Sequence, residues 1–152
     1  MEESIRNERA LKLWVVMNRA SRSIEDRLRE QVESNGLSFT EFGVLEVLLH
    51  RGPLPIGEIG ERILLTSGSM TYVVNKLEKR GLIIRRACAS DRRVIYAELT
   101  RPGKDLIRRV FSEHEQLLAR LSEGLSPDEI DEAARLVRKF GLYADNAPVA
   151  SR

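Results

Sequence analysis

Apolar residues recur at three- and four-residue spacing along most of the chain, and each run has a recognisable start or stop. From Ser4 to about Ser34, Leu13, Val16, Ala20, Ile24, Leu28 and Val32 fall on one face of a long helix. Asn35-Gly36 ends it, since either residue accepts the left-handed conformation after a last turn. Ser38-Phe39-Thr40-Glu41 then reads as a capping box, in which the Ser38 hydroxyl accepts a backbone N–H and Glu41 reaches back to the cap. The helix it opens runs to about His50 with Phe42, Leu45, Leu48 and Leu49 inward. Arg51-Gly52-Pro53 stops it, because proline disfavours helical geometry in the residue before it.

A short helix over roughly Ile56 to Ile63 pairs Ile59 with Ile63, and Leu64-Leu65-Thr66 makes a tight connection in which Thr66 caps the next helix. From there to Arg80, Met70, Val73, Val74 and Leu77 share one face. Gly68, Tyr72, Asn75 and Lys79 lie opposite, with Thr71 and Lys76 beside them. Gly81 suits the position just past a helix end, and the β-branched pair Ile83-Ile84 begins an extended stretch that returns through Val94-Ile95-Tyr96-Ala97. Four arginines, Arg85, Arg86, Arg92 and Arg93, lie between, so the hairpin has a basic tip. Thr100 caps a further helix that tolerates Pro102 in its first turn.

That helix carries Ile107, Phe111, His114, Leu118 and Leu121 on one face. A second capping box, Ser126-Pro127-Asp128-Glu129, opens the last helix, whose Ile130, Ala133, Val137 and Phe140 form a narrow coiled-coil-like seam. Two readings fit these outer helices, intrachain packing or a dimer interface. Three long helices exceed what a small core needs to cover, which favours the dimer. Residues 144–152 lack periodicity and read as a mobile tail. The pattern as a whole is mainly α with a small β-hairpin.

Length and composition add limits. With 152 residues, 42% hydrophobic and 32% charged, the chain suits one compact domain with its own core. No run approaches the roughly 18 apolar residues of a membrane span, and MEESIRNERA does not resemble a signal peptide, so the expected address is the cytoplasm. The one cysteine, Cys88, has no internal disulfide partner. His50 and His114 are too far apart in sequence for a metal-ligand cluster, and no cofactor motif is present. No nucleophile and base stand at interpretable spacing and no glycine-rich phosphate loop occurs, so an enzyme is not expected.

Charge changes the picture more. Formal net charge is only +2, yet residues 61–110 hold twelve Lys/Arg against five Asp/Glu, and the remainder holds thirteen against eighteen. A basic centre between acidic arms fits either a segment that meets a polyanion or an ordinary solvated surface. The order of elements decides between them: helix, short helix, tight turn, polar-faced helix and basic hairpin describe a helix-turn-helix followed by a wing. The second helix of such a motif enters the DNA major groove. There Thr66, Ser67, Gly68, Ser69, Thr71, Tyr72, Asn75, Lys76 and Lys79 would meet bases and phosphates. Arg92 and Arg93 suit the minor groove, whose negative potential favours a guanidinium, and Arg85 and Arg86 suit the DNA backbone.

The segments "LSFTEFGVLEVLLHRG", "ILLTSGSMTYVVNKLEKRGLIIR" and "DRRVIYAELTRPG" resemble the MarR family of regulators across residues 37–103. Most specific are "NKLEKRGLI" at Asn75 to Ile83 and the Asp91-Arg92-Arg93 run followed by Leu99-Thr100 and Gly103. The resemblance implies a winged helix-turn-helix lobe over 37–103 and interlocking dimerisation helices over 4–34 and 101–143. It also implies that Asp91 braces the wing while Arg93 enters DNA, and that a homodimeric repressor on a palindromic operator is released by a small aromatic ligand. Pocket residues do not follow from motifs; Trp14, Met17 and Phe39 are candidates, against the plainer reading that they are core. "SGSMTYVV" and "RRAC" are similar to the branch answering phenolic or quinone compounds. The alternative is a thiol-based redox switch in which the flanking arginines stabilise a Cys88 thiolate, against the reading of Cys88 as a small strand residue. Thiol-sensing members commonly carry their cysteine in the first helix, where this chain has none.

Overall fold

The computed structural model describes residues 2–63 and 67–146, without the side chains of Glu2 and Ser67. In order these are α1 (Glu2–Ser34), α2 (Phe39–Arg51), β1 (Leu54–Pro55), α3 (Ile56–Arg62), α4 (Ser67–Lys79), β2 (Ile83–Ala87), β3 (Ile95–Leu99), α5 (Arg101–Leu121) and α6 (Pro127–Asn146). The fold is mainly α with a small antiparallel sheet. The 64–66 connection with its Thr66 cap and residues 147–152 of the expected tail lie outside the described residues, while residues 144–146, expected in that tail, instead continue α6. The chain divides into two compact units, Met1–Gln116 and Leu117–Arg152.

In the first unit, α1 buries only its C-terminal end. Leu28 and Val32 join the core, whereas Leu13, Val16, Ala20 and Ile24 on the same face are exposed. The chain turns at Gly36, and the capping box of α2 forms as the sequence requires. The Ser38 hydroxyl accepts the Glu41 N–H at 3.1 Å, and a Glu41 carboxylate oxygen accepts the Ser38 N–H at 2.7 Å. Phe42, Leu45 and Leu48 are buried and Leu49 is half-buried. Val44 is fully buried as well, so α2 is enclosed on a wider face than its strongest periodicity marks.

The sheet has three strands in the order β1-β3-β2 rather than the two of a simple hairpin. Leu54 and Pro55 pair with Ala97 and Tyr96. A two-residue strand shows no alternation to read, and Pro55 removes a ladder donor, which confines the segment to the edge it occupies. On the other side of β3, Ile83 pairs with Leu99 and Arg85 with Ala97. The return strand starts at Ile95, one residue later than the pattern suggests. Val94 instead closes the tip, donating to the Asp91 carbonyl and accepting from the Cys88 N–H. The core gathers Met70, Val73, Val74 and Leu77 of α4 with Ile59, Ile83, Ala97, Leu99, Ile107 and Val110. Burying each large aliphatic side chain contributes about 1.5–3 kcal/mol before chain entropy is counted.

The start of α5 is stapled to the turn after α4. Gly81 takes φ 70° and closes α4, with Leu82 N–H reaching back to the Leu77 carbonyl. Thr100 N–H donates to the Leu82 carbonyl at 3.1 Å and its hydroxyl to the Gly81 carbonyl at 2.6 Å, while the same hydroxyl accepts the Gly103 N–H. Gly103 is buried flat against Leu82.

The second unit comprises the last turn of α5 and α6, opened by Ser126 and Glu129 in a complete capping box. No residue of α6 is buried; Ile130, Ala133, Val137 and Phe140 are all exposed.

At Gly103 a methyl group would collide with the Leu82 carbonyl oxygen. Gly103→Ala is therefore expected to cost about 2 kcal/mol, within the range for overpacking, against the roughly 1 kcal/mol gain that alanine brings to an open helical site. Urea unfolding should show a lower midpoint at unchanged slope. A midpoint equal to or above the parent's would refute the close approach.

Candidate nucleic-acid interface

Helix α4 separates its two faces cleanly. Met70, Val73, Val74 and Leu77 point inward, and Gly68, Ser69, Thr71, Tyr72, Asn75, Lys76 and Lys79 are exposed. Its thirteen residues span about 20 Å. Ser67 is its first residue, with its side chain outside the described residues, as is all of Thr66. The first turn lacks an acidic residue and the last turn holds Lys76 and Lys79, each favourable to an anion at the N-terminal end and to the helix dipole at the other.

Glu41 holds this helix in place, a role its sequence position as a capping residue does not disclose. Its side chain is 2% exposed, and one carboxylate oxygen accepts from Lys76 at 3.2 Å and from Arg80 at 3.4 Å while the other accepts the Ser38 N–H. Burial pushes the Glu41 carboxyl upward, but the Ser38 N–H, the Lys76 ammonium and the Arg80 guanidinium outweigh it and keep its pKa below the usual carboxylate value. Lys76, expected at DNA, is thus half committed to the protein.

The wing arginines also have partners. Arg85 bonds Glu78 at 2.9 Å and donates to the Asn75 amide oxygen; Arg86 pairs with Glu98 at 2.8 Å. At the tip, Asp91 accepts the Arg93 backbone N–H at 3.0 Å and its guanidinium at 3.2 Å. Arg93 holds the Asp91 carboxyl below the carboxylate range while its own side chain stays 91% exposed. Lys79 and Arg92 are exposed and form no ion pair among the described residues. Cys88 is half-buried with its sulfur 3.2 Å from the Ser90 hydroxyl; that hydroxyl, followed by the backbone N–H groups of Ser90 and Asp91, lowers the thiol pKa. Its neighbours Arg85, Arg86 and Arg93 pair with carboxylates instead.

The three pocket candidates do not meet within one chain. Phe39 is half-buried, 6.3 Å from Phe42 between ring centres, with the Arg29 guanidinium 5.0 Å above its ring. Trp14 is 57% exposed and Met17 half-buried. Trp14 precedes Arg29 by fifteen residues of the same helix, about 22 Å along the axis. Phe42, the ring beside Phe39, has His114 against it at 4.7 Å, and His50 meets Phe111 edge-on at 4.8 Å. His114 shares a hydrogen bond with Gln31, and its burial, only partly offset by Glu46, lowers its pKa and keeps it neutral at neutral pH.

A short helix, a polar-faced helix packed on it and a basic hairpin beside them define a winged helix-turn-helix. The MarR family model matches residues 35–94. The HTH-type transcriptional regulator MhqR of Bacillus subtilis is 42% identical over 137 residues, covering 90% of this chain and 94% of that protein. Among solved structures, a MarR family protein from Bacillus stearothermophilus superposes with TM-score 0.77 at 24% identity, over 91% of this chain and 97% of the other. NadR in complex with 4-hydroxyphenylacetate superposes at 0.71 with 18% identity, over 83% and 89%. The chain belongs to the MarR family of transcriptional regulators.

Glu41→Gln keeps the shape of the side chain and removes its charge. The expected loss at neutral pH is about 2 kcal/mol, the order of a hydrogen-bonded charge whose partners can still turn to water. Because the folded pKa lies below the unfolded 4.5, the carboxylate's contribution is complete above about pH 4.5 and disappears as pH falls through the folded value. The stability gap between parent and variant, followed by chemical unfolding from pH 7 to pH 3, should therefore close on acidification. A gap that is absent at pH 7 or constant with pH would remove Glu41 from this role.

Proposed function

We propose that the protein is a cytoplasmic, homodimeric repressor that binds a palindromic double-stranded DNA operator through residues 37–103 and is released by a small aromatic effector. One observation carries the reading: the exposed face of α4 is polar and donor-rich, and beside it stands a wing whose Arg93 is held by Asp91 but left open to solvent. In this arrangement α4 enters the major groove with Ser67, Ser69, Thr71, Tyr72, Asn75 and Lys79, and Arg92 and Arg93 reach the minor groove. Arg86 is shared between phosphate and its carboxylate partner Glu98.

Unburied apolar surface supports the dimer. Val16 and Ile24 on α1, and Val137 and Phe140 on α6, are exposed in stripes where water is an unfavourable neighbour. Covering them with a second copy places two α4 helices for half-sites about 34 Å apart, one duplex turn. An effector acts by altering that spacing, through its differential affinity for the two arrangements. NadR, which shares the fold, holds 4-hydroxyphenylacetate, and the aromatic surroundings of Phe39 suit a ring of that kind. A pocket that also used Trp14 and Met17 needs the second copy's α1, since one chain keeps them apart. The thiol-switch alternative rests on the hydrogen bonds of Ser90 and Asp91 to the Cys88 sulfur, not on the flanking arginines.

Arg93→Ala should weaken binding to the palindromic duplex roughly tenfold at matched salt, about one hydrogen bond to a charged group, and unchanged affinity would exclude the wing from the interface. Phe140→Asp should shift the protein from dimer to monomer in sedimentation velocity. A parent protein that is already monomeric at micromolar concentration removes the two-helix geometry.

A further inference from the structure

Arg85 stands in β2 with its side chain over the C-terminal half of α4, where it touches two residues one turn apart. One terminal nitrogen bonds Glu78 at 2.9 Å, and the other donates to the amide oxygen of Asn75. A guanidinium has five N–H donors and no acceptor, so the Asn75 atom that faces it has to be the oxygen. The Asn75 NH2 group is thereby turned away from Arg85 on the exposed face of α4. Glu78 fixes the fork at a second point, and because the guanidinium is planar, two attachments set its orientation. The Arg85 and Glu78 side chains are 32% and 39% exposed, partly withdrawn from the water that weakens surface pairs.

This changes what Asn75 offers to a base. A free carboxamide reads adenine with both ends, accepting from N6 and donating to N7. The Arg85 guanidinium takes one of the oxygen's two lone pairs and stands on that side of the amide, so the end of Asn75 left open to a base is its NH2 group, a donor. Guanine presents two acceptors in the major groove, N7 and O6, and no donor, whereas adenine sets its N6 donor beside its single acceptor, N7, so an open NH2 group is better matched by guanine. We propose that Arg85 is a positioning residue that makes Asn75 a guanine reader in place of an adenine reader, with Glu78 as its anchor. The proposal rests on the reading above that α4 enters the major groove. It also assigns Arg85 a different task from holding phosphate, since both of its terminal nitrogens point inward at α4.

The test uses the full-length protein and selection of bound duplexes from a random pool, followed by competition between duplexes differing at one base pair. The parent is expected to favour guanine at one position of each half-site, and Asn75→Ala should erase the preference there alone. Arg85→Met, which keeps the stem and loses the fork, should raise adenine relative to guanine at that position by roughly tenfold, the order of one good base contact. Uniform weakening with that ratio unmoved, or a parent that already prefers adenine, overturns the proposal. Should Arg85→Met not fold, Asn75→Asp serves instead: it keeps the pair with Arg85 but has no N–H to give, so guanine preference must vanish, and its retention overturns the assignment. Enrichment of no duplex by the parent protein is a different failure, which overturns the DNA-binding reading and the inference with it.

Discussion

A carboxylate taken out of water costs several kcal/mol unless every lone pair it exposes is matched, and Glu41 meets that demand with groups from two separate elements. The Ser38 N–H comes from the cap of its own helix; Lys76 and Arg80 come from α4 and its end. Tilting α4 away from α2 would leave a charge in an apolar interior, and so would fraying the start of α2. The two helices are consequently fixed to one another by something stricter than apolar packing, which tolerates sliding. Lys76 and Arg80 can satisfy Glu41 while their stems cover apolar surface, because both are long and only partly buried. The direction in which Tyr72, Asn75 and Lys79 face follows from this arrangement.

A second set of constraints ties α5 to the same helix. Gln31 and Asn35 at the end of α1 both donate to Glu113, and Arg109 donates to Asn35, so α1 and α5 are latched by polar contacts beside the buried His114. At its other end α5 is held to Gly81 and Leu82 by Thr100 and by the flat contact at Gly103. A displacement of α5 reaches the end of α4 without slack, since the turn between them is bonded through backbone carbonyls rather than flexible side chains.

Much of this was legible because it is local. Ser38 and Glu41, Ser126 and Glu129, Gly81, and the inward face Met70-Val73-Val74-Leu77 each obey a rule that acts within one or two turns, and each appears as the sequence indicates. What escaped was set by residues distant in the chain. Glu41 announces a cap, but its burial depends on Lys76 and Arg80, 35 and 39 positions later. Leu54-Pro55 is too short to show a period and becomes a strand only because β3 offers it an edge. Arg85 and Arg86 looked like unattached positive charge, because a partner such as Glu98 is recognisable only once the strand register sets it opposite Ile84, diagonal to Arg86. The exposed face of α4 was readable by position; the partners that orient its side chains were not.

Those partners alter how the basic centre works. Residues 61–110 contain five acidic residues, and three of them, Glu78, Asp91 and Glu98, each hold one wing arginine. Surface pairs of this kind contribute about 0–1 kcal/mol to stability, so folding is not their main consequence. They reduce the charge that the wing presents at a distance while fixing where each guanidinium sits at close range. In the proposed complex, binding to a phosphate would exchange one anion for another and release fewer counterions than a count of arginines implies, which would flatten the dependence of affinity on salt. Such pairing would favour selectivity over bulk attraction, because a guanidinium already paired would leave its carboxylate only where the duplex offered a better-placed acceptor. On the proposed reading, the wing and α4 together would discriminate by geometry, and the net charge of the segment would overstate how strongly it is drawn to DNA in general.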